Sequence, residues 1–79
     1  MGKHKVIEYG TEFCPWCHRA REFFKENGIE FEYIDVGKDR EAAIEMIEKT
    51  GQRGVPVIEI DGEIIIGFDE ARIRKKLGI

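Results

Sequence analysis

Cys14 and Cys17 are the two cysteines of the chain, and they stand three positions apart as Cys14-Pro15-Trp16-Cys17. Thiols at that spacing lie within one turn of helix and can close a disulfide. The loop so closed is short, and the chain-entropy account gives the bridge only roughly 2 kcal/mol. The pair therefore makes more sense as chemistry than as reinforcement, and the chemistry is thiol–disulfide exchange. The attacking species there is a thiolate, whereas a free cysteine is mostly protonated at neutral pH. Pro15 suits the first position of a helix, which puts Cys14 at the N-cap. Backbone N–H groups there lack internal partners, and the helix dipole presents partial positive charge. Both favour a thiolate at Cys14. Glu12, two residues away, opposes it slightly, and no lysine or arginine directly precedes the motif. Cys17, one turn in, is expected to point back towards Cys14 and to be buried. Cys14 then attacks a substrate disulfide, and Cys17 attacks Cys14 to release the reduced substrate.

These roles need a strand leading into a helix. A first strand is expected over about Lys5 to Tyr9, and Ala20, Phe23 and Phe24 keep helical spacing behind the cysteines. The first helix runs from about Pro15 to Asn27, with Gly28 as its stop. Phe31 to Asp35 reads as a second strand. A second helix spans Arg40 to Thr50, with Asp39 as N-cap and Gly51 as C-terminal stop. Its inward face is expected to be Ala43, Ile44 and Ile47, with Met46 as further packing. Val57 to Ile60 and Glu63 to Ile66 are short apolar runs joined by Asp61-Gly62, a strong hairpin signal. Asp69 caps a last helix to Leu77, with Ile73 and Leu77 inward and Gly78 ending it. The order is β-α-β-α-β-β-α. The first βαβ unit gives a right-handed crossover and a parallel pair, and the hairpin adds antiparallel strands. An α/β fold follows: a four-stranded mixed sheet with three helices covering both faces.

The bulk properties narrow the function. At 79 residues the chain is expected to form one domain, residues 1–79, near the lower size limit for a self-supporting core. Two cysteines are too few for a disulfide-stapled secreted scaffold. The start, Met1 to Lys5, is polar with no signal-peptide apolar core behind it, and no apolar run approaches the roughly 18 residues of a membrane span. The expected address is the cytoplasm, with no membrane partner. Net charge is −3 with both signs mixed along the chain, which argues against a nucleic-acid partner. The one basic cluster, Arg72, Arg74, Lys75 and Lys76, complements the dipole of the last helix.

Other readings of the dithiol stay open. A structural zinc site needs about four ligands, and the other candidates are His4, His18 and carboxylates at unusual spacing; no metal is expected. Cys14 to His18 also matches C-x-x-C-H, the c-type haem attachment, which requires two accessible cysteines and His18 as axial ligand. Otherwise His18 reads as an exposed helix residue. A passive redox switch that changes partners is a further alternative to a catalyst.

Tyr9 to Cys17 (YGTEFCPWC), Arg53 to Pro56 (RGVP) and Gly67 to Asp69 (GFD), in that order and spacing, resemble the glutaredoxins. They are most similar to the small glutaredoxin-like redoxins, including the NrdH-type ones, over nearly the whole chain. The resemblance implies a thioredoxin fold and a thiol–disulfide oxidoreductase acting on protein disulfides. General statistics would make Val55–Pro56 trans, cis being about 5–6% of X–Pro bonds. The similarity of GVP to the family's TVP implies a cis bond that faces the dithiol, with the Val55 backbone pairing with an extended substrate. By the same resemblance Val55, Pro56, Gly67, Phe68 and Asp69 form a substrate groove with Arg53 at its edge. Trp16, matching an exposed tyrosine of the family, and Phe13 form a docking surface. The protein is expected to be a monomer without a bound cofactor. Its reducing equivalents come from glutathione or from a thioredoxin-reductase-type system. Two departures favour the reductase: Thr11 stands where glutathione users commonly have lysine, and Gly67 is single where they carry a double glycine.

Overall fold

The computed structural model describes residues 4–79; the first three residues of the polar start lie outside the described residues. The elements follow in the order β1 (Val6–Gly10), α1 (Pro15–Glu26), β2 (Glu32–Asp35), α2 (Arg40–Thr50), β3 (Val57–Ile60), β4 (Glu63–Ile66) and α3 (Glu70–Leu77). The strands form one four-stranded sheet in the order β2-β1-β3-β4. β1 pairs parallel with β2 and antiparallel with β3, and β3 pairs antiparallel with β4. The mixed sheet expected from the sequence is therefore the one observed, with shifts of one residue at the ends of the first helix and the first two strands. Asn27 is the C-cap of α1 rather than its last residue.

Alternation along the strands sends side chains to two different cores. Val6, Ile58, Ile60 and Ile65 face Ala20, Phe23 and Phe24 of α1 and Ile73 and Leu77 of α3. Ile7, Tyr9 and Val57 face Met46 of α2 on the other side. Each fully buried Ile or Phe contributes roughly 1.5–3 kcal/mol by leaving water. β1 lies in the middle of the sheet with helices on both faces, and all five of its residues are buried. The β3–β4 turn takes positive φ at both central residues, Asp61 (51°) and Gly62 (88°), the signs that match a tight hairpin to the strand twist. Asp61 also accepts the Lys5 amide at 2.9 Å, tying the turn back to the start of β1.

One expectation needs correction. Ile44 does not belong to the inward face of α2: it is exposed, while Met46 is buried and Ala43 and Ile47 are half-buried. The stripe against the sheet runs through positions 43, 46, 47 and 50, and one residue past Ala43 turns about 100° away from it. Asp39 caps α2 by accepting the Ala42 amide at 3.1 Å, and Lys49 bridges the helix to the sheet through Glu59 at 3.2 Å and the Tyr9 hydroxyl at 3.1 Å. No helix among the described residues is long and apolar enough to cross a membrane.

Candidate active site

Cys14 is the N-cap of α1, with extended φ and ψ of −105° and 109°. Its carbonyl accepts the His18 amide at 3.2 Å, opening the helix. Its Sγ accepts the Cys17 amide at 3.2 Å, in the place a serine or aspartate oxygen takes at an ordinary cap. Both thiols are free; Cys14 is half-buried and Cys17 is 0% exposed. Burial, then the hydrogen bond to Cys14, pushes the Cys17 thiol up to about 12. Two residues of one type thus sit in opposite surroundings, one at a polar helix tip and one in the protein interior. Glu12, the charge expected to oppose a thiolate, is held by Lys38 at 3.1 Å.

The second segment of the site faces the first. Val55–Pro56 is cis, and the Cys14 thiol donates to the Val55 carbonyl at 3.9 Å. The Pro56 carbonyl accepts the Gly67 amide at 2.8 Å, which fastens the 67–69 turn alongside. Gly67 has φ of +83° with open space where a Cβ would stand, so the turn itself requires glycine. Phe68 bridges surface and core: its ring centroid is 5.6 Å from Phe23 and 6.4 Å from Trp16. Trp16 is 58% exposed and Phe13 93% exposed. Arg19 lies over the Trp16 ring at 5.6 Å. Asp69 is the N-cap of α3 and accepts the Arg72 amide at 3.2 Å. Arg53 is exposed, in a loop where the Gln52 side chain brackets Gly54 at 2.6 and 3.1 Å. The fold thus brings Cys14, Cys17, Val55, Pro56, Gly67, Phe68 and Trp16 to one end of the sheet, while Phe13 and Arg53 project into solvent.

His18 is exposed, as expected, and both ring nitrogens are engaged. Arg21 can only donate, so Nδ1 accepts from it at 2.7 Å, and Nε2–H donates to the Glu12 carbonyl at 2.6 Å. Among the described residues no group of three or more His, Cys, Asp or Glu is arranged to hold a metal ion. Sequence reasoning passed over Glu8, Arg21 and Tyr33, which lie buried or half-buried behind Cys17. Burial pushes the Glu8 carboxyl up to about 7, with Arg21 pulling the other way. Its one sequence signal was a carboxylate inside the apolar run Val6 to Tyr9.

Comparison with known proteins agrees with this geometry. The family model described as Glutaredoxin matches residues 6–65. A glutaredoxin-like 8.6 kDa protein of a rubredoxin operon in Clostridium pasteurianum is 45% identical over 67 residues, covering 85% of this chain and 89% of the relative. Glutaredoxin 3 of Escherichia coli K12 is 36% identical over 62 residues, covering 78% of this chain and 75% of the relative. Among solved structures, a glutaredoxin from Archaeoglobus fulgidus superposes with a TM-score of 0.84 at 27% identity, covering 96% of this chain and 88% of that one. The four strands and three helices are those of the thioredoxin fold.

Proposed function

This chain belongs to the glutaredoxin family of thiol–disulfide oxidoreductases, and from that premise we propose that it reduces protein disulfides through Cys14-Pro15-Trp16-Cys17. The observation that carries the reading is the Cys17 amide donating to Cys14 Sγ at 3.2 Å at the tip of α1. That amide and the N-terminal end of the helix dipole present partial positive charge to the sulfur. Cys14 attacks one sulfur of the substrate disulfide; the other leaves as a thiolate, and a mixed disulfide remains. Cys17 Sγ, buried behind it, then attacks Cys14 Sγ and expels the second substrate thiolate. An extended substrate lies along Val55, Pro56, Gly67, Phe68 and Asp69 with Arg53 at the edge, pairing with the Val55 backbone. Phe13 and Trp16 offer it exposed aromatic surface, a residue class enriched where proteins meet. Burial of Cys17 and the engaged ring of His18 weigh against haem attachment.

The reductant follows from the same residues. Thr11 offers no cation to a glutathione carboxylate, and the α3 N-terminus already holds the Asp69 carboxylate. We therefore place a thioredoxin-reductase-type enzyme before glutathione as electron donor, with a potential between about −200 and −270 mV. Cys14→Ser is expected to abolish insulin-disulfide reduction, and Cys17→Ser to accumulate a mixed disulfide. Full turnover by Cys14→Ser would overturn the assignment of roles, and reaction that stops at one equivalent would favour the passive switch. With each reductant supplied separately, thioredoxin reductase is expected to support faster turnover than glutathione with its reductase. Efficient glutathione coupling would reverse that preference alone.

A further inference from the structure

Glu8 sits in the middle of the central strand with its side chain 0% exposed. It shares the sheet face of Val6, beneath α1. From α1 come Cys17 and Arg21, whose Nη1 is 3.5 Å from Glu8 Oε2. From β2 comes Tyr33, the register partner of Glu8, with the Arg21 guanidinium 4.2 Å above its ring. From β3 comes only the apolar Ile58. Among the described residues the buried side-chain polar atoms without a hydrogen-bond partner are Glu8 Oε1 and Oε2, Arg21 Nη1 and the Tyr33 hydroxyl. They all fall in this one cluster. Buried polar atoms are nearly always paired, because leaving one bare costs free energy. A buried carboxylate held by a single ion pair at 3.5 Å and no hydrogen bond, next to the dithiol, calls for a use.

Gly10 shows how close the two are. A Cβ there would lie 2.9 Å from Cys17 Sγ and 3.0 Å from Glu8 Oε2, so both atoms crowd the same point above the backbone. The two atoms are therefore within about 6 Å of each other, a gap that one intervening water can bridge. The reaction also lacks a base. Burial holds the Cys17 proton on, with the thiol at about 12, while the Glu8 carboxyl at about 7 has both protonation states within reach at neutral pH.

The geometry points to Glu8 as the proton acceptor for Cys17 in the resolving step. The inference rests on the reading of Cys17 as the resolving thiol. The Cys17 S–H proton passes to the Glu8 carboxylate as the Cys17 sulfur attacks Cys14 Sγ. The new Cys14–Cys17 bond takes the place of the Cys14–substrate bond, and the substrate departs as a thiolate that solvent protonates. When a reductant later opens the Cys14–Cys17 bond, Glu8 returns the proton to Cys17. Arg21 positions the carboxylate and does not touch the reacting sulfurs.

Stopped-flow reaction of the reduced protein with a chromogenic aryl disulfide separates the steps. The first equivalent of released aryl thiolate reports attack by Cys14, and the second reports resolution by Cys17. The second phase of the unaltered protein is expected to inflect near pH 7. Glu8→Gln is expected to slow that phase about 100-fold and remove the inflection, with the first phase unchanged. Glu8→Asp should recover part of the rate. An equal second phase in Glu8→Gln would overturn the inference. So, with no variant needed, would an unaltered-protein second phase that climbs about tenfold per pH unit beyond pH 8, as bare thiolate chemistry requires. A first phase that persists in Cys14→Ser would instead overturn the underlying assignment of the two cysteines.

Discussion

At Cys14 the sulfur takes a backbone amide at 3.2 Å and keeps contact with solvent; at Cys17 it has burial and a carboxylate for company. The spacing of the two cysteines, with Pro15 between them, made the first environment legible, since a proline at the first helical position fixes where the cap must be. The second was not legible. Glu8 looks like the polar member of an alternating strand, and alternation ordinarily puts such a residue in water. It is buried because β1 is central and covered by helices on both faces, a property of sheet order that no local pattern reports. Gly10 is where these environments meet, and its lack of a side chain is a packing requirement. Gly10→Ala would put a methyl group 2.9 Å from Cys17 Sγ and 3.1 Å from Cys17 Cβ. We expect a loss of about 1–3 kcal/mol from this overpacking, read as a lower midpoint in thermal or urea denaturation. A midpoint equal to that of the unaltered chain would show that the dithiol and Glu8 can move apart freely.

The helices differ in how clearly they announced their inward faces. α1 and α3 bury Ala20, Phe23, Phe24, Ile73 and Leu77 as the spacing predicted. α2 spreads its apolar residues over neighbouring positions, Ala42, Ala43, Ile44, Met46 and Ile47, so its stripe is less sharply marked, and it was misjudged at Ile44. Its caps were legible: Asp39 accepts the Ala42 amide at 3.1 Å and Gly51 takes φ of 72°. The two positions therefore differ sharply in what substitution should do. Met46→Ala empties a site 2% exposed between Ile7, Tyr9 and Val57, and should cost about 2–5 kcal/mol. Ile44→Lys, at an exposed position, should change stability by less than about 0.5 kcal/mol. Urea titration of both variants checks the pair, and comparable losses would contradict the placement of α2 against the sheet.

Across the whole molecule, the sheet order β2-β1-β3-β4 puts the C-terminal end of β1, the start of α1 and the segment before β3 together. The strand-helix-strand start and the Asp61-Gly62 hairpin were enough to predict the order of elements along the chain and a mixed sheet, but not the order of strands within it. They could not predict that Phe68 would reach from Trp16 to the core residue Phe23 at 6.4 and 5.6 Å, since the 67–69 turn meets α1 only after folding. This arrangement exposes one sulfur and encloses the other, and the proposed catalysis depends on that difference. Peptide mapping after brief treatment of the reduced protein with substoichiometric iodoacetamide at neutral pH tests it most directly. The account predicts label on Cys14 alone, gained at least about tenfold faster than by a cysteine in an unstructured peptide. Label on Cys17 first, or equal rates at the two residues, would contradict it.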